Sequence, residues 1–141
     1  MLFRSREASY AGNAISIVVN LRNGRPLTAH TGAARAGVVS LTQSLAIEWA
    51  PLGVRVNCIA PGTIDSSGLD AYREPANRNR MRNNNPMRRL GTVWDIAEGV
   101  VYLAGPTGRF ITGELLAIDG GAQIWGPSWS AGRPAFFREL E

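Results

Sequence analysis

Two short β-branched runs stand on either side of one long helical segment, and this order constrains the fold more than any other feature of the chain. Ile15-Ser16-Ile17-Val18-Val19 is bounded by turn formers and suits a buried strand. Residues 31–50 read as a helix, because Ala34, Val38, Leu41, Leu45 and Trp49 recur at spacings of three and four and so share one face. Thr31 is the expected N-cap, and Pro51 with Gly53 stops the helix. Val54-Arg55-Val56-Asn57-Cys58-Ile59 is a second buried strand, ending at a Pro61-Gly62 turn. Strand, long helix, strand is the signature of a parallel pair, since parallel strands need a crossover where antiparallel ones need only a hairpin. Right-handed crossovers are expected.

The rest of the chain continues the alternation. Residues 2–9 read as a short helical end, Gly12-Asn13 as a turn and Asn23-Gly24-Arg25-Pro26 as a loop. Residues 63–90 are polar and rich in Asn and Arg, with no apolar period, and are expected as a long irregular loop of functional interest. A second helix starts near Thr92 and runs through Ile96, Val100 and Leu103. Residues 113–118 form a third strand, with Asp119-Gly120-Gly121 as its turn. The chain is thus α/β, with one partial domain over residues 1–121 and an aromatic tail over 122–141 that holds Trp125, Trp129, Phe136 and Phe137. Three parallel strands alone leave apolar surface open, because parallel sheets are normally covered on both faces. The run at 15–19 would present an open edge.

Composition narrows the function classes. The length suits one domain, and 45% hydrophobic residues suffice for a core. Cys58 is the sole cysteine and His30 the sole histidine, so neither an internal disulfide nor a metal cluster is expected. His30 has no nucleophile partner, which leaves a hydrolase triad unsupported. All fifteen basic residues are arginine, so chemistry that needs a lysine has no residue to use. The net charge of +4 comes from scattered arginines without a recognition motif, and no nucleic-acid partner is expected. Arg73, Arg78, Arg80 and Arg82 in the polar loop would suit phosphate, although solvated loop charge is the ordinary reading. No apolar run approaches a membrane span. The start Met1-Leu2-Phe3-Arg4 lacks a signal peptide's apolar core, and Arg138-Glu139-Leu140-Glu141 is not a peroxisomal tripeptide, so a cytoplasmic location is expected.

More specific wording lies within these elements. His30-Thr31-Gly32-Ala33-Ala34-Arg35-Ala36-Gly37-Val38 is followed by Leu45-Ala46-Ile47-Glu48-Trp49-Ala50 and by Val54 through Asn57-Cys58-Ile59-Ala60-Pro61-Gly62. Later come Phe110-Ile111-Thr112-Gly113 and Asp119-Gly120-Gly121. In that order and spacing the chain resembles the C-terminal half of a short-chain dehydrogenase/reductase. It is most similar to the subgroup of peroxisomal trans-2-enoyl-CoA and 2,4-dienoyl-CoA reductases. The resemblance implies the last three strands of a doubly wound, Rossmann-like parallel sheet. The first strands, with the adenosine site and the glycine-rich phosphate loop, would be missing.

The resemblance also implies a site. The family's helix carries a Tyr and, four residues later, a Lys on the same face. Here Thr31 stands at the Tyr position and Arg35 at the Lys position, and the family's catalytic Ser would fall near Val18 or Val19, with Ser16 back on the strand. Arg35 cannot shuttle protons, because a guanidinium does not give up its proton in proteins. Reduction of an enoyl thioester instead leaves an enolate oxygen that needs hydrogen-bond donors. Thr31, Arg35 and Asn20 at the strand exit are the candidate catalytic residues. Arg35, Pro61, Gly62 and Ile64 are the candidate cofactor contacts, for NADP or NAD, with an acyl-CoA thioester as substrate and a homo-oligomer as the assembly. Met87-Arg88-Arg89-Leu90-Gly91 and Asp95-Ile96-Ala97 resemble the family's start of the next helix and are expected to be structural. The alternatives are that Thr31 only caps the helix and Arg35 is only solvated. At the level of the whole chain, the alternative is a truncated, non-catalytic module that associates through its sheet edge and aromatic tail.

Overall fold

The structure is a computed structural model and describes residues 12–17, 28–72 and 74–125. Asn20, Arg73 and the tail from 126 onward lie outside the described residues. Three parallel strands form the main sheet: β1 (Gly12–Ile17), β2 (Val54–Pro61) and β5 (Leu115–Ile118), in the order β1-β2-β5. Helix α1 (Ala29–Trp49) connects β1 to β2, and α3 (Val93–Ala104) lies between β2 and β5. A second, two-stranded parallel sheet pairs β3 (Ile64–Asp65) with β4 (Gly91–Thr92).

β1 begins earlier than its β-branched run. Gly12 and Asn13 are paired opposite Val54 and Arg55 rather than forming a turn. Asn13 is tolerated there because its Nδ2 donates to the Ala104 carbonyl at the end of α3, 3.3 Å away.

The faces of the sheet fix the two helices. Ser16 is in register with Cys58, so both side chains point the same way, and Ser16 Oγ lies 3.2 Å from Thr42 Oγ1 on α1. Thr42 spends its proton on the Val38 carbonyl at 2.9 Å, which makes Ser16 the donor. The next residue of β2, Ile59, faces the other way and lies beside Gly99 of α3. Both crossovers step across the sheet in one direction, yet their helices lie on opposite faces. The two crossovers are therefore of opposite hand, and the expectation that both are right-handed fails. The rule comes from a twisted strand feeding one helix straight back to the sheet. Between β2 and β5 the chain instead inserts β3, the helix α2 (Pro75–Arg82) and β4, which relaxes that constraint.

α1 starts at Ala29 with Thr28 before it, so Thr31 is inside the helix and is not its cap. The stripe turned to the sheet also differs from the apolar one. Thr42 and Ala46 are buried, and Thr31, Arg35, Val38, Val39 and Leu45 are half-buried, whereas Ala34 is exposed and Leu41 is 55% exposed. Small and hydroxylated residues let the helix approach the strands closely; the larger side chains of the opposite face remain in solvent. A 3₁₀ turn over Ala50–Leu52 and Gly53 in the left-handed region (φ 75°) end the helix where Pro51 and Gly53 predict.

The segment 63–90 is more ordered than an irregular loop. It contains a 3₁₀ turn (Ser67–Tyr72) and the helix α2 (Pro75–Arg82). α2 buries no residue, which is why apolar periodicity does not reveal it. Pro75 at its start, Arg80 and Arg82 in its last turn, and the Arg78 fork on Asp65 (3.1 and 3.3 Å) are its local supports.

α3 starts where expected. Thr92 Oγ1 accepts from Asp95 N at 3.1 Å and Asp95 Oδ2 accepts from Thr92 N, a reciprocal capping box. Arg89 grips the same carboxylate through both Nη atoms, at 2.9 and 3.0 Å. Hydrogen bonding from Arg89, then from Thr92, holds the Asp95 carboxyl well below the usual carboxylate range. A depressed folded-state pKa stabilises the fold above the unfolded value, and that contribution is lost as pH falls through the folded value. Below about pH 4 the wild type therefore loses a small increment of thermal stability. Asp95→Asn lacks that pH-dependent increment, which melts followed by circular dichroism between pH 3 and 7 would test.

Candidate functional site

In an open sheet of parallel strands, ligands bind outside the carboxyl ends of the strands. Here that edge is formed by Ile17, by Pro61-Gly62 and by Ile118-Asp119. α1 runs back from this edge, so its first turns flank it. Thr42 marks a common level, because it meets Ser16, which is paired with Cys58. From Thr42, Arg35 lies seven residues nearer the edge, about 10 Å along a helix. From Cys58, Pro61 lies three residues nearer it, again about 10 Å along a strand. Arg35 is thus level with Pro61, and Thr31 projects one turn beyond. Both side chains are half-buried on the stripe that faces the sheet. His30 is exposed in the first turn of α1. Ser16 is occupied with Thr42, one residue back from the end of β1.

The Pro61-Gly62 turn is fixed by β5. Gly62 N donates to the Ile118 carbonyl at 2.9 Å, and a Cβ on Gly62 would lie 2.7 Å from Asp119 Cα. The space left by the missing side chain is filled by Asp119, so the glycine is needed for packing of the two strand ends. Asp119 in turn accepts from Gly121 N and Gln123 N (2.9 and 2.8 Å), with Gly120 and Gly121 at positive φ. Ile64 follows in β3, where Gly91 N bonds the Thr63 carbonyl rather than that of Ile64. Of the loop arginines, Arg78 is engaged with Asp65, and Arg80 and Arg82 are exposed on α2. Thr31, Arg35 and Pro61-Gly62 therefore lie toward one edge of the sheet, with Ile64 two residues further along the chain.

A polar clamp at the opposite, amino end of β2 and β5 is not foreseen from the sequence. Asn57, 1% exposed, donates to the Ile111 carbonyl at 3.1 Å and accepts from Glu114 N at 3.1 Å. Arg55, also buried, donates to the Ile111 and Ala104 carbonyls at 3.0 and 3.2 Å. Thr112 Oγ1 accepts from Val56 N at 3.1 Å. The available signal was two polar residues alternating within an otherwise apolar strand.

Among the described residues no group of three or more His, Cys, Asp or Glu is placed to hold a metal ion. No described helix is long and apolar enough to cross a membrane.

Comparison with known proteins adds to this geometry. The Enoyl-(Acyl carrier protein) reductase family matches residues 8–123. The peroxisomal 2,4-dienoyl-CoA reductase of Mus musculus is 36% identical over 91% of this chain and 45% of its own length. The peroxisomal 2,4-dienoyl-CoA reductase SPS19 of Saccharomyces cerevisiae is 43% identical over 70% of this chain and 34% of its own. The chain thus spans less than half the length of these relatives. Among solved structures, ElxO with NADP bound superposes with a TM-score of 0.70 at 30% identity, covering 80% of this chain and 47% of that one.

Proposed function

The chain belongs to the short-chain dehydrogenase/reductase family, in the peroxisomal 2,4-dienoyl-CoA reductase subgroup, and from that premise we propose that it supplies the nicotinamide end of an NAD(P)H-dependent reductase acting on a conjugated acyl-CoA thioester. The observation that carries the reading is the placement of half-buried Thr31 and Arg35, one turn apart, level with and just beyond the Pro61-Gly62 turn.

The residues present fit the nicotinamide half of such a cofactor. Arg35 offers a fixed fork of donors to ribose hydroxyls, and the Pro61–Ile64 segment lies at the same carboxyl edge of the sheet. The cofactor, when bound, supplies the hydride. Thr31 then donates a hydrogen bond to the thioester oxygen, where negative charge gathers during reduction of a conjugated double bond. The Arg35 guanidinium adds a positive charge that needs no reorganisation. Asn20 is proposed as a further donor. The mouse and yeast relatives are named for dienoyl-CoA reduction and ElxO was solved with NADP, which supports this substrate and cofactor class.

The test is NADPH oxidation with a 2,4-dienoyl-CoA in wild type and Thr31→Val. Loss of one donor to the developing oxyanion is expected to lower kcat about 10²-fold with little change in KM. An unchanged kcat would remove Thr31 from the mechanism.

One observation favours a second reading, the non-catalytic module. Ile17 on β1 is 56% exposed, and β1 is paired on one side only among the described residues. Exposed Leu41, Ile47 and Leu52 along α1 and its following turn support assembly into an oligomer under either reading. As to compartment, both curated relatives are peroxisomal by name, and neither favours the cytoplasmic location expected from the sequence.

A further inference from the structure

Helix α1 is held to the sheet in its second half. Of its described residues, Thr42 and Ala46 are the buried ones, 4% and 3% exposed. Ala46 packs on Gly113, where an added Cβ would lie 3.4 Å from the Ala46 Cβ, and Gly113 N donates to the Val56 carbonyl at 2.7 Å. The first turns have no comparable packing. None of the described residues 29–41 is buried, and a side chain at Gly32 or Gly37 would meet open space. The placement of Thr31 and Arg35 therefore depends on what holds the helix further back.

Thr42 is the polar part of that hold. Its hydroxyl donates to the Val38 carbonyl at 2.9 Å and accepts from Ser16 Oγ at 3.2 Å. A threonine that bonds back to the carbonyl four residues earlier tends to bend its helix. Here the same oxygen is tied to β1, so the bend and rotation of α1 are set from the strand. Val38 is three residues from Arg35, about 4.5 Å along the axis, whereas Thr42 is about 10 Å from it and lies too far back to touch a group bound there.

On the reading of this edge as the nicotinamide end of a cofactor site, we propose that Thr42 is its positioning residue, whose hydroxyl, held between Ser16 and the Val38 carbonyl, sets where Thr31 and Arg35 stand relative to the Pro61-Gly62 turn. Thr42→Val keeps the shape and the branching but not the hydroxyl. The Val38 carbonyl retains its helix partner and half-buried Ser16 turns to water, so no buried group is stranded. The melting temperature should stay within about 5 °C of wild type.

The test uses the ¹⁵N-labelled 141-residue chain with a nitroxide attached at Ala34→Cys. Ala34 is exposed and Cys58 is buried, so the introduced thiol takes the label. Paramagnetic broadening of the Gly62, Thr63 and Ile64 amides then reports the placement of the first turns of α1. Thr42→Val is expected to change this profile, and Thr42→Ser, which restores the hydroxyl, to reproduce that of wild type. Ser16→Ala deletes the same bond from the strand side and should match Thr42→Val. Without the label, NADPH affinity is expected to fall about 10-fold in Thr42→Val and to recover in Thr42→Ser. An unchanged profile in both Thr42→Val and Ser16→Ala, or a Thr42→Ser chain displaced as far as Thr42→Val, would overturn the role. So would equal NADPH affinity in wild type and Thr42→Val. A wild type that binds no NADPH would remove the cofactor reading of the edge instead, and the broadening profile would still decide whether Thr42 places α1.

Discussion

Gly62→Ala is expected to destabilise the chain by about 2–4 kcal/mol. The added methyl group would fall 2.7 Å from Asp119 Cα and 3.0 Å from both its Cβ and its carbonyl oxygen. No long, flexible side-chain end is available to move aside, so relief requires the ends of β2 and β5 to separate. Separation breaks the 2.9 Å bond from Gly62 N to the Ile118 carbonyl and unseats the Asp119 turn. Ligand affinity at the edge should fall along with stability, since this turn sets the edge's shape. Thermal melts check the first effect, and a melting temperature equal to that of wild type would mean that the strand ends are not in the contact described.

Asn57→Leu is expected to cost a similar amount, about 2–4 kcal/mol, by a different route. Leucine is close in size, so packing changes little. The loss lies in two buried bonds, from Asn57 Nδ2 to the Ile111 carbonyl and from Glu114 N to Asn57 Oδ1; the Glu114 N–H loses its partner, and the Ile111 carbonyl keeps only the Arg55 donor. The melting temperature should fall on the order of 10 °C. Amides of 111–114 should lose hydrogen-exchange protection before those of α1, because the bonds removed are those that join that segment to β2. Uniform loss of protection would mean that Asn57 is only one more core residue.

These two residues show how differently the sequence disclosed its parts. The β-α-β order was legible because β-branched runs and a Pro-Gly stop are local signals, and β2 and α3 lie within a residue or two of their expected bounds. The side of α1 that faces the sheet was not legible. Periodicity favours Ala34, Leu41 and Trp49, but the strand presents Ser16, and a hydroxyl partner at Thr42 decides the contact. α2 is not legible in the sequence because a helix without an apolar stripe carries no apolar period. The hand of the second crossover depends on what is inserted between β2 and β5, a global property absent from any window of sequence. In the candidate site, Thr31, Arg35 and Pro61-Gly62 were identified through family wording, and the structure explains their proximity by two equal steps from the level of Thr42. Gly62 has a packing duty that no sequence signal discloses, since Asp119 lies where its side chain would be.

The most direct test of the account is fluorescence titration of NADPH and of NADH into the purified 141-residue chain and into its Arg35→Ala variant. If the carboxyl edge beside Arg35 is the nicotinamide end of a cofactor site, at least one cofactor binds the wild type saturably below millimolar concentration. The variant then binds it about 10-fold or more weakly, as expected for loss of charge-assisted hydrogen bonds. Absence of saturation up to millimolar cofactor, or equal affinity in the two proteins, would contradict the assignment of this edge.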